Sequence, residues 1–206
     1  MYKKPVIVFE GIEGSGKTSH VNFVAKYLKK KNIKFIKIRE PGGSKNSEKI
    51  RKLILNSKSN YNKNTDLLLY QAARSENIEL LKKSYKKKII LIDRFIDSTI
   101  AYQHYGFNVS LSLINYINSY LTKNFRINFT FLNTVNKNNM IKRLKLRNKL
   151  NRYDKFSYIF YKKVQNGFLK LAKKNMKNYM IVDSNQKIEF NKILIRRQID
   201  KLIKWI

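Results

Sequence analysis

Apolar positions along the chain alternate between short unbroken runs and runs spaced three or four residues apart. Residues Pro5, Val6, Ile7, Val8 and Phe9 form an unbroken run, the pattern of a strand buried on both faces. A glycine-rich segment follows at 11–16. Beyond it, Val21, Val24, Ala25 and Leu28 give residues 17–31 a helical spacing. Phe35, Ile36 and Ile38 mark a second strand, closed by the turn residues Pro41, Gly42 and Gly43. Residues 45–56 and 65–85 read as helices, with Thr65 the expected N-cap of the second. A third buried strand runs from Ile89 to Ile92. Further on, the pattern predicts helices at about 97–105 and 110–123, a strand at 127–133 and helices at 137–147 and 156–174. A strand at 179–183 and a helix at 187–205 complete the chain. Five apolar strands alternating with helices predict one doubly wound, mostly parallel α/β domain over 1–206. No repeat, linker or low-complexity tract divides it.

The first strand-to-helix turn carries the first chemistry. Gly11, Ile12, Glu13, Gly14, Ser15, Gly16, Lys17 and Thr18 match G-x-x-x-x-G-K-[ST] without a mismatch, and Ser19 follows. Glycines let the backbone fold so that successive N–H groups point inward on phosphate, at the start of a helix. In such a loop Lys17 reaches the β- and γ-phosphates of ATP and the Thr18 hydroxyl ligates Mg²⁺. Asp93, at the end of the third strand, is placed to hold the same ion directly or through water. Nine of the thirteen acids lie between residues 10 and 97. Of these, Glu10, Glu13, Glu40, Asp93 and Asp97 fall at predicted strand ends, where open α/β sheets bind ligands. Glu10 is assigned to the outer shell of the metal.

Composition changes how the charge is read. The 206 residues carry 45 Lys and Arg against 13 Asp and Glu, a net charge of +32. Taken alone, that excess points to a nucleic-acid partner. Lys, however, supplies 35 of the 45, and the same chain has 24 Asn and 25 Ile but 5 Ala, 7 Gly and 2 Pro. Lys, Asn and Ile have A/T-rich codons, so base composition accounts for the whole profile, and Lys is scattered through most of the predicted helices. A basic nucleic-acid-binding protein therefore remains only an alternative from a different class, and no specific nucleic acid is expected. Cysteine is absent and His is confined to His20 and His104, which excludes disulfides, thiolate zinc sites and a Cys nucleophile. No apolar run approaches the ~18 residues of a membrane span, and no signal-like segment opens the chain. A soluble, cytoplasmic protein is expected.

Four segments, in order and spacing, resemble the bacterial thymidylate kinase (dTMP kinase) family over nearly the whole chain. They are Phe9 to Thr18; Arg39, Glu40, Pro41, Gly42, Gly43 and Ser44 with Glu48 and Arg51 following; Leu68 to Arg74; and Asp93-Arg94 continuing to Gln103. The resemblance implies a P-loop NTPase fold with a five-stranded sheet, a small basic lid at about 143–155, and phosphoryl transfer from ATP to dTMP with Mg²⁺. Another nucleoside monophosphate or deoxynucleoside kinase is the alternative within that class. It further implies that Arg39, Arg51 and Arg94 bind the dTMP phosphate. Arginine retained in a lysine-saturated chain suits the bidentate contact that Lys cannot make. Tyr70 and Arg74 lie four apart on one helix face, where a ring stacks on thymine and a guanidinium reaches its carbonyl edge. Family members usually have Phe where Tyr70 stands, and the added hydroxyl needs a partner.

By the same resemblance Thr99 and Gln103 hydrogen-bond thymine, Tyr102 lies against the sugar, and Glu13 meets the 3′-hydroxyl region. Glu40-Pro41 is implied to be a cis bond. The phosphate loop contains no Arg, which in the family goes with a catalytic Arg in the lid. Arg152 is the first choice for that role and Arg147 the second; Arg143 is placed beside adenine. Asn133 and Asn151 stand where the family often has acids. Family members are typically homodimers, and Ile100, Leu113, Ile114, Ile117 and Leu121 offer an apolar face for that, or for the core.

Overall fold

In the computed structural model, residues 4–148 and 150–204 are described. Lys149 of the lid and residue 205 of the terminal helix lie outside them. The five strands are β1 (Val6–Gly11), β2 (Phe35–Arg39), β3 (Ile89–Asp93), β4 (Phe129–Thr134) and β5 (Tyr179–Asp183). They form one sheet in the order β2-β3-β1-β4-β5, and all four pairings are parallel, so the expected mostly parallel sheet is wholly so. Unbroken β-branched and aromatic runs suit strands covered on both faces, and every residue of the central β1 is buried. The register sets Arg39 opposite Asp93, Phe9 opposite Asp93 and Gly11 opposite Asn133. Because the strands are parallel, all these residues reach the same edge of the sheet, where crossovers leave a crevice.

Helices α1 (Lys17–Lys30), α2 (Lys45–Leu55), α3 (Lys63–Ser84), α4 (Ile96–Thr99), α5 (Leu111–Leu121), α6 (Lys137–Lys145), α7 (Tyr158–Lys174) and α8 (Ile188–Ile203) flank the sheet. On one face Val21, Val24 and Leu28 of α1, with Ile195 and Ile199 of α8, cover Ile7, Phe9, Leu91 and Phe131. The opposite face packs Val6, Val8, Ile90 and Ile92 under Ile78 and Leu81 of α3. Each such aliphatic or aromatic side chain taken from water contributes about 1.5–3 kcal/mol. That rigid double layer holds the crevice edge in place.

Two local expectations are corrected. The N-cap of α3 is Asn62, whose side chain accepts from the N–H groups of Asn64 and Thr65 at 3.0 and 2.9 Å. Asn is the stronger cap, so the helix starts earlier and Thr65 becomes its third residue. The helix expected at 97–105 is instead the short α4 followed by a π-helical turn over Ile100–Gly106. Wide turns of this kind occur mostly at functional sites. Here the turn carries Tyr102 and Gln103.

Candidate active site

Only glycine fits the first position of the phosphate loop. Gly11 has φ +139°, and a Cβ there would lie 2.2 Å from the Asn133 carbonyl oxygen. Gly16, with φ +82°, caps α1 and directs the first N–H groups of the helix into the loop. Lys17 is buried and donates to the Ile12 carbonyl at 2.8 Å and to Ser15 Oγ at 3.4 Å. Burial first, and then the nearby Arg94 cation, push its ammonium down to about 7. Thr18 Oγ1 donates to Asp93 Oδ2 at 2.8 Å, so the two oxygen ligands predicted for a cation already touch. Among the described residues no three acidic or His side chains cluster as a metal cage. A hydroxyl and one carboxylate nevertheless fit Mg²⁺, which takes few protein ligands and completes its shell with phosphate and water.

Glu10 lies outside this group. It is fully buried, and Phe95 N–H, Ser98 N–H and Ser98 Oγ consume both its oxygens. These bonds tie β1 to the start of α4. Burial, and then neighbouring Asp97, raise its carboxyl to about 7.

A cleft of about 950 Å³ opens beside the loop and gathers most of the residues read from the sequence. Arg39, Arg51 and Arg94 are among its lining residues. Arg51 Nη1 donates to the Pro41 carbonyl at 2.6 Å, and Arg39 pairs with Glu48 at 3.2 Å. The Glu40–Pro41 bond is cis. Arg94 donates from Nη1 to the Gly11 carbonyl and from Nη2 to Glu13, both at 2.7 Å. Burial drives the Glu13 carboxyl up, but Arg94, Lys17 and the Tyr102 hydroxyl outweigh that and hold it below the ordinary range. The Tyr102 ring also faces the Arg94 guanidinium at 5.2 Å.

Tyr70, Arg74, Thr99 and Gln103 also line it. Arg74 is 2 % exposed, with Nε on Glu40 at 2.8 Å and Nη1 on Asn118 at 2.7 Å, while Nη2 has no hydrogen bond among the described residues. Thr99 Oγ1 and Gln103 Oε1 are buried and have no partner. Buried polar atoms left open in a cleft are the signature of a site waiting for a ligand's own polar groups.

The two lid arginines separate. Arg147 lines the cleft and is paired with Asp154. Arg152, the first choice from sequence, does not line it: its guanidinium is held by Asp66 of α3. The geometry thus reverses the expected order. Arg143 sits at a second cavity with Gly16, Ser19, His20, Ser184 and Gln186. It bridges the Gly14 carbonyl at 2.9 Å and the Ser184 carbonyl at 2.6 Å.

The family model described as thymidylate kinase matches residues 9–195. The chain belongs to the thymidylate kinase family. The thymidylate kinase of Thermosipho africanus is 39 % identical over 185 residues, covering 89 % of this chain and 91 % of that protein. That of a Sulfurihydrogenibium species is 36 % identical, covering 92 % and 94 %. The crystal structure of thymidylate kinase from Ehrlichia chaffeensis superposes with a TM-score of 0.77 at 30 % identity, over 97 % of this chain and 99 % of that one.

Within this thymidylate kinase family member, both asparagines at positions often acidic are hydrogen-bonded, although the buried Asn133 Oδ1 has no partner among the described residues. Asn133 Nδ2 bonds His20 Nδ1 at 2.6 Å and Ser184 Oγ at 3.2 Å. Burial lowers His20 to about 4, so its ring is the neutral acceptor this pairing needs. Asn151 accepts from Tyr153 N–H at 2.8 Å and donates to Asp154 at 2.6 Å, closing the 3₁₀ turn Tyr153–Lys155. The residues that sequence reasoning missed are Tyr153 in the cleft lining, Asp66 and Asn118 bonded behind it to Gln103 and Arg74, and Ser184 and Gln186 at the second cavity. The last two follow β5 directly, and the rule that ligands gather beyond strand C-termini signals them.

Proposed function

We propose that this chain transfers the γ-phosphoryl group of ATP to dTMP, giving dTDP and ADP, as a cytoplasmic homodimer. The observation that carries the reading is the cleft itself. It gathers Arg39, Arg51 and Arg94, the Tyr70 ring and Arg74, the open Thr99 and Gln103 oxygens, and Lys17 and Thr18 of the phosphate loop along one lining.

Loop N–H groups, Ser19 and Lys17 bind the ATP phosphates, and the adenine lies in the second cavity against Arg143. Thr18 and Asp93 would hold Mg²⁺, which would supply neutralisation of the phosphate charge. Tyr70 stacks on thymine, Arg74 Nη2 donates to its carbonyl edge, and Gln103 and Thr99 take its remaining polar atoms. Arg39, Arg51 and Arg94 grip the acceptor phosphate, and Tyr102, tied to Glu13, crowds the sugar face against a 2′-hydroxyl. The acceptor oxygen then stands in line with the γ-phosphorus. The reaction needs placement and charge neutralisation more than covalent help, so no general base is assigned. Lys17, Arg94 and Arg147 supply the cationic charge, and the lid over 143–155 excludes water.

The dimer reading rests on α5, which is apolar on two faces. Ile114 is fully buried in a cluster with Ile100, and Ile117 packs against it. Leu113, Tyr116 and Tyr120, on the adjoining face, are 45 %, 75 % and 77 % exposed. An apolar stripe so open to water on a well-packed helix is suited to a second copy of the chain.

The test is a coupled ADP-release assay across dTMP, dUMP, UMP, CMP, AMP and GMP with the wild type, Lys17→Ala and Arg94→Ala. The reading requires preference for dTMP and losses of orders of magnitude in both variants; preference for another acceptor overturns it.

A further inference from the structure

Asp66 is missing from every role assigned above, yet three donors from three different residues converge on its carboxylate. It lies in the first turn of α3, 2 % exposed. Oδ1 accepts from Arg152 Nη2, while Oδ2 accepts from the Tyr153 hydroxyl and from Gln103 Nε2 at 3.2 Å. Tyr153 in turn meets Tyr70 and Tyr102 edge-on, with ring centroids 6.0 and 5.7 Å apart. One buried group therefore touches both the wall that reads the acceptor base and the root of the lid.

The chemistry of this contact dictates which way the Gln103 amide faces. A carboxylate paired with Arg is an acceptor only, so it takes the amide nitrogen. The amide oxygen is thereby turned into the cleft, and Gln103 Oε1 is indeed the buried atom without a partner. An acceptor fixed at that point suits a pyrimidine that carries a proton on N3, as thymine and uracil do. It is mismatched to cytosine, whose N3 is a lone pair.

We propose that Asp66 is a positioning residue that sets base choice by orienting Gln103, and that fastens the lid root through Arg152 and Tyr153 to the same group. The proposal rests on the reading that the cleft takes dTMP. Its logic can be inverted by one atom. In Asp66→Asn, the donor-only Arg152 claims the new carbonyl oxygen, leaving the new NH₂ facing Gln103. Gln103 then presents its oxygen to residue 66 and its NH₂ to the cleft, and the polarity offered to N3 is reversed.

The experiment measures kcat and KM of Asp66→Asn and wild type for dTMP and dCMP, with thermal unfolding alongside. The expected result is a fall of about tenfold or more in the dTMP-to-dCMP ratio of kcat/KM, carried by the KM for dTMP. A purely structural role lowers stability or kcat for both acceptors and leaves that ratio alone, so a ratio within about twofold of wild type overturns the proposal. If Asp66→Asn does not fold, the neutron crystal structure of wild type with dTMP, which locates the amide hydrogens, decides. Gln103 Nε2 on Asp66 and Oε1 on the base N3 supports the proposal, and the reverse orientation overturns it. Failure of the wild type to phosphorylate dTMP would instead refute the functional reading beneath.

Discussion

Glu13 and Arg94, which come from the phosphate loop and the end of β3, form an ion pair at 2.7 Å in a largely buried setting. In the absence of a ligand this carboxylate is the counter-charge for a guanidinium assigned to the dTMP phosphate. Glu13→Gln keeps the shape and removes the charge, leaving Arg94 buried and unbalanced. A buried pair broken on one side loses about 3 kcal/mol or more, a fall of roughly 6–12 °C in Tm for a chain of this size. Saturating dTMP should restore part of that loss, because its phosphate replaces the carboxylate. Scanning calorimetry with and without dTMP checks this, and an equal loss in both would separate Arg94 from the phosphate.

Arg147, not Arg152, is the lid cation that faces the cleft. Removing one preorganised cation from a transferring phosphoryl group costs about 10²–10³ in turnover. Arg147→Ala should therefore lose that much kcat with little change in the KM for ATP. Steady-state kinetics of Arg147→Ala and Arg152→Ala side by side would return the role to Arg152 if its kcat falls further.

The exposed stripe on α5 predicts self-association. Tyr116→Glu places a charge at a position 75 % open in the single chain, where it disturbs no internal packing. Sedimentation velocity should show a dimer for the wild type and a monomer for the variant; a monomeric wild type would end the dimer reading.

Glu10 predicts a pH dependence of stability. Its folded pKa is raised from 4.5 to about 7, by burial and then by Asp97. Between those values the folded chain keeps a proton that the unfolded chain has released. The stability this contributes is complete below pH 4.5 and disappears as the pH rises through 7, at up to about 1.4 kcal/mol per pH unit. Glu10→Gln cannot ionise and lacks that slope. Urea unfolding from pH 5 to 7.5 should show the variant gaining on wild type, and parallel curves would contradict the burial argument.

Legibility in the sequence followed the range of the interactions. Gly11 to Thr18 were readable because a phosphate loop is made by consecutive backbone, and Asp93 because a strand end next to that loop meets Thr18 in almost any register. Tyr70, Arg74 and Gln103 became readable through resemblance to a family, which supplies long-range contacts indirectly. Asp66 and Asn118 carried no signal, since a single Asp or Asn on an amphipathic helix gains meaning only from partners 37 and 44 residues away. The lid order failed for the same reason: Arg147 and Arg152 are equivalent by composition, and the choice is made by Asp66, 86 residues distant. The π-helical turn escaped because a search for three-and-four spacing does not register a widened turn.

Arg94 sits at φ +68°, a left-handed backbone position. A side chain there costs about 1–2 kcal/mol relative to glycine. Either Arg94→Gly or Arg94→Ala leaves Glu13 buried without its partner, so the backbone cost shows in their difference: Arg94→Gly should outlast Arg94→Ala on heating while both remain inert. That arginine persists, in a chain whose base composition erodes it elsewhere, makes position 94 a place where a strained backbone is tolerated for the sake of the guanidinium. A thermostabilising redesign of this protein has one position it must leave alone.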